Sequence, residues 1–268
     1  YAWRSNTSLT SFLATGLDSG TIFLESWRSC TALATMPAIP LTAGTNFQSA
    51  WQYCSSLTSF LATGLNSGTN FAYAWNSCSA LATMPALALT AGTTFAYAWN
   101  NCTLLTSFLA TGLNSGTDFT SAWNTCSSLV TMPAIPLTAG LTLSSAWYGC
   151  SSMTSFLVTD MSSGTNFTFT WRDCTALTTM PAIALTAGTN FNAAWYNCTS
   201  LTSFLATGLN SGTNFSYAWN NCTSLITMPA IALTAGTNFD ASWKSCTSLT
   251  SFLATGLDSG TAFASTWQ

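Results

Sequence analysis

Tryptophan recurs at Trp3, Trp27, Trp51, Trp75, Trp99, Trp123, Trp147, Trp171, Trp195, Trp219, Trp243 and Trp267, a spacing of 24 residues held without one insertion. A fixed period of this length marks a solenoid, in which each repeat buries its apolar face only by stacking on its neighbours. The chain therefore reads as one continuous solenoid over residues 1–268, eleven 24-residue repeats with no linker between them. Neither end reads as a polar cap. Tyr1-Ala2-Trp3 matches the later Tyr73-Ala74-Trp75, and the sequence stops one residue after Trp267. Because the terminal coils of a solenoid need covering, the expectation is a segment of a longer array, or a filament whose ends stack on further copies.

Within this period the polar composition narrows the partners. Charged residues are 4% of the chain and the formal net charge is −3, against roughly 25% charged residues in an average soluble domain. Four cations cannot neutralise a phosphate backbone, so nucleic acid is not an expected partner. Thr, Ser, Asn and Gly interrupt every apolar stretch well before the ~20 residues that span a bilayer, so membrane insertion is not expected either.

Aligned on tryptophan, the repeats share a strict pattern. Four residues earlier stands Phe in ten of eleven units, with Leu143 the exception, and three residues later stands Cys in every unit from Cys30 to Cys246. Phe47, Ala50, Trp51, Cys54 and Leu57 fall on one stripe of a helical wheel, which predicts a short helix or a few 3-10 turns around each Phe-x-x-Ala-Trp-x-x-Cys. The next run, Leu57-Thr58-Ser59-Phe60 in one unit and Leu81-Ala82-Thr83-Met84 in the following one, is the best strand candidate. Phe and Met alternate at its end, so stacking would set a thioether against a ring. Pro37, Pro85, Pro133, Pro181 and Pro229 follow the methionines and limit the strand to about three or four residues. An invariant glycine (Gly20, Gly44, Gly68 through Gly260) implies either a turn with φ > 0 or too little room for a Cβ. Parallel pairing at ~4.8 Å per step gives a rod of roughly 50 Å with ladders of Trp27, Trp51, Trp75, of Cys30, Cys54, Cys78, and of Gly44, Gly68.

The string Thr213-Asn214-Phe215-Ser216-Tyr217-Ala218-Trp219-Asn220-Asn221-Cys222-Thr223-Ser224-Leu225 resembles the BspA-like, Treponema-type leucine-rich repeats of bacterial surface proteins and the repeats of mycoplasma surface lipoproteins. Those repeats set aromatic-x-x-Cys-x-x-Leu after a Thr-Asn-hydrophobic turn, and the likeness extends over every unit. The chain departs in having Trp where Phe is usual, a slightly shorter repeat and an alternating 48-residue superunit. The resemblance implies a leucine-rich-repeat solenoid on a cell surface or a phage particle, serving in adhesion or as a stalk, without catalysis. The expected fold is thus a leucine-rich-repeat-like solenoid with one short parallel strand and one short helical or 3-10 segment per coil; the alternative is a parallel β-solenoid.

Four features carry the functional readings. The cysteines, one per coil, are either reduced, buried thiols or bridges between neighbours such as Cys30 and Cys54. With no His and no clustered Cys, neither a metal site nor a cofactor is expected. Variation concentrates beside tryptophan. Arg4, Arg28, Tyr53, Tyr73, Tyr97, Tyr148, Arg172, Tyr196, Tyr217 and Lys244 all lie within two residues of one, and by helical geometry they point outward. They are either a drifting solvated face or a partner-binding face, since exposed aromatics mixed with Arg favour recognition. The third feature is a repeated hydroxyl surface, Thr10, Thr58, Thr106 and onward, which suits lateral packing of identical rods, glycan contact or ice binding. Ala34, Ala82, Val130 and Ile226 break the regular array that ice binding needs. The fourth is the two-coil alternation, which reflects duplication or a surface of ~10 Å period in which Thr15, Thr63 and Thr111 alternate with Ile39, Leu87 and Ile135. The seven acidic residues follow no recurrent pairing, so no enzyme is expected. The leading reading is a noncatalytic segment of an extracellular, cell-surface or virion-borne fibre, a rigid spacer associating with further copies of itself end to end or laterally. The second is an adhesin recognising host glycan or protein, and ice binding is the minor third.

Overall fold

The computed structural model describes residues 2–267 and builds them as one stack of 24-residue coils; Tyr1, part of the terminal Tyr-Ala-Trp match, lies outside the described residues. One side of each coil is a run of turns around tryptophan, where a helix was one expectation. Ala50, Gln52 and Cys54 donate their N–H groups three residues back, to Phe47, Ser49 and Trp51. The residues between them do otherwise: Phe47, Ser49, Trp51 and Tyr53 donate to Asn70, Ala72, Ala74 and Asn76 of the following coil, at 2.8 Å each. An α-helix keeps its N–H groups for its own carbonyls. Here every second one crosses to the next coil, which puts Ser49 (φ 53°) and Tyr53 (φ 62°) in the left-handed region. The 3-10 geometry forms further round the coil, at Leu65–Ser67, Leu113–Ser115 and Leu209–Ser211.

The Thr-Asn-Phe string has a division of labour. Thr69 Oγ1 donates to Thr45 O of the preceding coil, and Asn70 Oδ1 accepts the N–H of Ala72, an Asx turn that opens the run of turns. Phe71 then enters the core.

On the opposite side run ten two-residue strands among the described residues. They form two-stranded parallel ladders: Thr35–Met36 with Ser59–Phe60, Thr83–Met84 with Ser107–Phe108, and so on to Thr227–Met228 with Ser251–Phe252. Their N–H groups point back along the rod, as in Thr58 N–H to Ala34 O and Leu61 N–H to Met36 O, both 2.9 Å. Proline explains why the sheet stops after two strands. The counterpart of Leu61 in the next coil is Pro85, which has no N–H to give Phe60 O. The 48-residue alternation thus cuts the sheet at every second joint.

Inside, the indoles stack from Trp3 to Trp267 with centroids 5.2–5.9 Å apart and planes within 15°. Burying one indole takes about 200 Å² from water, roughly 5 kcal/mol before entropy is subtracted. A parallel phenylalanine stack is broken where Leu143 stands between Phe119 and Phe167. The methionine sulfur is met by indole instead of the expected phenylalanine ring, with Trp51 and Trp99 donating their indole N–H to Met36 and Met84 Sδ at 3.2 Å. Of the two readings of the invariant glycine, lack of room is the right one. Gly68 has an ordinary negative φ of −65°, but a Cβ there would overlap Phe71 Cζ and lie 2.9 Å from Phe47 Cδ2.

Candidate functional site

The left-handed residues on either side of each tryptophan decide where the variable side chains go. Tyr73, Tyr97 and Tyr217 sit two before a Trp, Tyr148 and Tyr196 one after, and Tyr53 two after, so the tyrosines occupy three neighbouring rows. Tyr53, Tyr73, Tyr97 and Tyr217 all have φ between 57° and 62°, a conformation costing an L-residue roughly 1–2 kcal/mol. Inter-coil hydrogen bonds on both flanks hold them there.

Three clusters result. Arg4 and Arg28 both converge on the Glu25 carboxylate, Arg4 at 2.7 Å, and Arg28 also covers the Tyr53 ring at 5.7 Å. Tyr73 and Tyr97 stack face to face, 4.7 Å apart with planes 2° from parallel. The third cluster gathers residues from three coils. The Arg172 guanidinium lies 4.5 Å from the Tyr196 ring, 5.3 Å from Phe169 and 5.7 Å from Tyr148. Beside it is a recess of about 350 Å³ lined by Phe169, Arg172, Asn192, Ala193, Tyr196 and Tyr217. Lys244 follows three coils later on the row of Arg172, half-buried. Phe169 and Asn192 were not among the sequence candidates. The signal for Phe169 was present, as an aromatic two before a Trp, on the row of Tyr73.

The cysteines are free thiols, nine buried and Cys246 partly so. Each uses its S–H on the preceding coil: Cys54 Sγ donates to Trp27 O at 3.1 Å and Cys102 Sγ to Trp75 O at 3.2 Å. Desolvation by burial pushes Cys54, Cys102 and Cys150 from a thiol's usual 9.0 up to about 12. Their neutral form is therefore favoured in the folded chain. Stability from these thiols is complete below pH 9 and is lost as the pH rises towards 12, because only the unfolded chain ionises readily in that window. Accordingly, a thiol reagent at pH 8 is expected to find the buried cysteines unreactive in the native protein and to titrate ten on denaturation. Urea midpoints are expected to fall steadily above pH 9. Rapid native labelling of Cys102 would contradict this placement.

The strand side differs from expectation in two ways. Ile39, Leu87 and Ile135 are buried at 6–8% exposure, so no surface alternates them with Thr63. The threonines stay exposed, but their hydroxyls are engaged along the rod: Thr58 Oγ1 donates to Ala34 O and Thr106 Oγ1 to Ala82 O, both 3.1 Å. What the surface presents is leucine. Leu61, Leu109, Leu157, Leu205 and Leu253 stand 48–53% exposed in one row, alternating with Pro37, Pro85, Pro133, Pro181 and Pro229. The two-residue period of a strand predicts this, since Phe60 inward puts Leu61 outward. From the seventh to the twelfth residue after each Trp, no coil carries a charge.

No protein-family model matches the sequence, and no curated protein matches it. Among solved structures, the chain is similar to a leucine rich cell surface protein from Faecalibacterium prausnitzii, at 17% identity and a TM-score of 0.40, over 87% of this chain and 76% of that one. It is also similar to an internalin from Listeria monocytogenes, at 14% identity and a TM-score of 0.37, over 83% and 67%. The T. pallidum leucine rich repeat protein is similar at 14% identity and a TM-score of 0.29, over 75% and 69%. By its own geometry the chain is a leucine-rich-repeat-like solenoid: the coils turn leucines such as Leu57 and Leu65 inward on either side of a short parallel strand, with Met153 and Met161 taking both places in one coil.

Proposed function

We propose that the chain is a noncatalytic rod segment of an extracellular, cell-surface or virion-borne fibre, a stiff spacer that packs side by side with copies of itself. The observation that carries this reading is the charge-free strand face with its half-exposed leucines. Exposed edges and apolar stripes of soluble proteins are normally broken by charge. This one runs the length of the rod unbroken. Its five half-exposed leucines, Leu61 to Leu253, recur along the whole face, the extended kind of apolar surface that a stable interface of ~800 Å² per partner needs. The leucines recur every two coils, and a second copy has the same repeat. No helix of the described residues is long and apolar enough to cross a membrane.

Leu109→Lys combined with Leu157→Lys tests the reading, because both side chains are about half exposed and a lysine there leaves the core untouched. The wild-type chain is expected to sediment as dimers or larger species and the double variant as a monomer of unchanged circular dichroism. A monomeric wild type, or association that survives both lysines, sinks the proposal. A second reading, recognition of a host glycan or protein by the side chains flanking tryptophan, has its own support in the recess beside Arg172.

A further inference from the structure

Arg172 differs from the other arginines of its row. Arg4 and Arg28 are spent on Glu25. The carboxylate nearest Arg172 belongs to Asp173, whose Oδ2 lies 3.5 Å from Nε, and Nε has no hydrogen-bond partner. Asp173 is engaged elsewhere, with its Oδ1 accepting from Asn197 Nδ2 at 2.7 Å in an amide ladder that continues from Asn221 to Asn197. Three rings hold the guanidinium in place by cation–π contact, and its terminal nitrogens make no hydrogen bond to any described residue. Apart from the 3.5 Å ion pair between Nε and Asp173, its fork of donors has no acceptor among the described residues, and it lines a recess with aromatic walls.

We infer that this recess binds a carboxylate-bearing sugar, the carboxylate taken by Arg172 and the sugar ring laid against Tyr196 and Tyr217. The inference rests on the recognition reading above and gives it a ligand class. A guanidinium fork matches a carboxylate in two parallel hydrogen bonds. The 350 Å³ volume is at the small end of ligand pockets, roughly 300–1,000 Å³, and suits one or two sugar rings. The aromatic faces present flat apolar surface to the C–H face of a pyranose, while the tyrosine hydroxyls and Asn192 Oδ1, whose amide Nδ2 is held by Ser216 O at 3.1 Å, meet its hydroxyls. An extended acidic peptide fits less well because it would pair with main-chain groups, and those here are taken. Phe169 N–H donates to Asn192 O, Ala193 N–H to Ser216 O, Arg172 N–H to Phe169 O and Tyr196 N–H to Ala193 O.

Saturation-transfer NMR on the whole chain tests this with four probes: glucuronic acid, N-acetylneuraminic acid, glucose, and N-acetyl-aspartate amide as the acidic-peptide stand-in. The two carboxylated sugars are expected to bind with dissociation constants on the order of 1 mM. Arg172→Gln is expected to weaken them at least tenfold, and Tyr217→Ser to weaken them less. Asp258→Asn, which alters an exposed charge far from the recess, is expected to change nothing. Equal binding by Arg172→Gln with unchanged circular dichroism overturns the assignment, as does binding of the aspartate amide alone. Glucose bound as well as the acids, and lost in Tyr217→Ser, overturns the carboxylate while leaving the recognition reading standing. Silence from all four probes overturns the site and withdraws that reading's support.

Discussion

Trp123→Ala is expected to cost about 3–5 kcal/mol and to divide the unfolding transition in two. Trp123 is fully buried, stacks on Trp99 at 5.2 Å and on Trp147 at 5.3 Å, and meets the Phe108 ring edge-on. Alanine removes these contacts and the stack on Phe119 at 5.9 Å at once. In a molecule where a coil touches only its neighbours, a weak joint near the middle uncouples the two halves, which then melt separately. Leu143 has already interrupted the phenylalanine stack one coil away. Urea unfolding followed by tryptophan fluorescence reads the effect: two transitions are expected for the variant. A single transition at the wild-type midpoint would mean that the indole stack contributes little.

The second large effect is expected from the smallest change, Gly68→Ala. The added methyl would occupy space held by the Phe71 ring and crowd Phe47, both fully buried, so neither ring has solvent to move into. Overpacking of this kind costs about 1–3 kcal/mol. Gly64, four residues earlier, has φ 74° and abuts Thr42, so alanine there carries backbone strain as well as a clash. Thermal denaturation of Gly68→Ala is expected to show a lower midpoint, with Phe71→Leu in the same chain recovering part of the loss. No recovery would place the strain in the backbone instead of the ring.

The ladders were legible because a core position repeated in every coil has only one environment to satisfy. Trp51, Cys54, Leu57 and Phe60 had to point inward whichever local conformation carried them. That same generality hid the conformation. Offsets of three and four suit a helical stripe, and they also suit turns that alternate local and inter-coil hydrogen bonds. The distinguishing signal lay two residues after Trp, where Gly149, Asn101, Asn197, Asn221 and Asp173 are residue types that accept a left-handed backbone. Tyr53 at the equivalent place, and Tyr73 and Phe169 two residues before Trp, obscured it. Proline by itself signals the end of a strand; its further effect, cutting the sheet at alternate joints, needs the inter-coil register. Ile39 was misplaced because its partner in the pattern, Thr63, is exposed, whereas the chain bends after Pro37 through an Ile39 N–H to Pro37 O contact and turns the isoleucine in. The Arg172 recess draws on three coils, and only stacking brings Phe169, Arg172, Tyr196 and Tyr217 together.

The proposed association of this rod runs through its strand side. Small-angle X-ray scattering of the wild-type chain over a concentration series tests it directly, because the cross-section and the length of a rod are separate observables. The predicted result is a cross-sectional radius that grows with concentration while the length stays near that of one chain. A constant cross-section at every concentration, or growth in length alone, would contradict it.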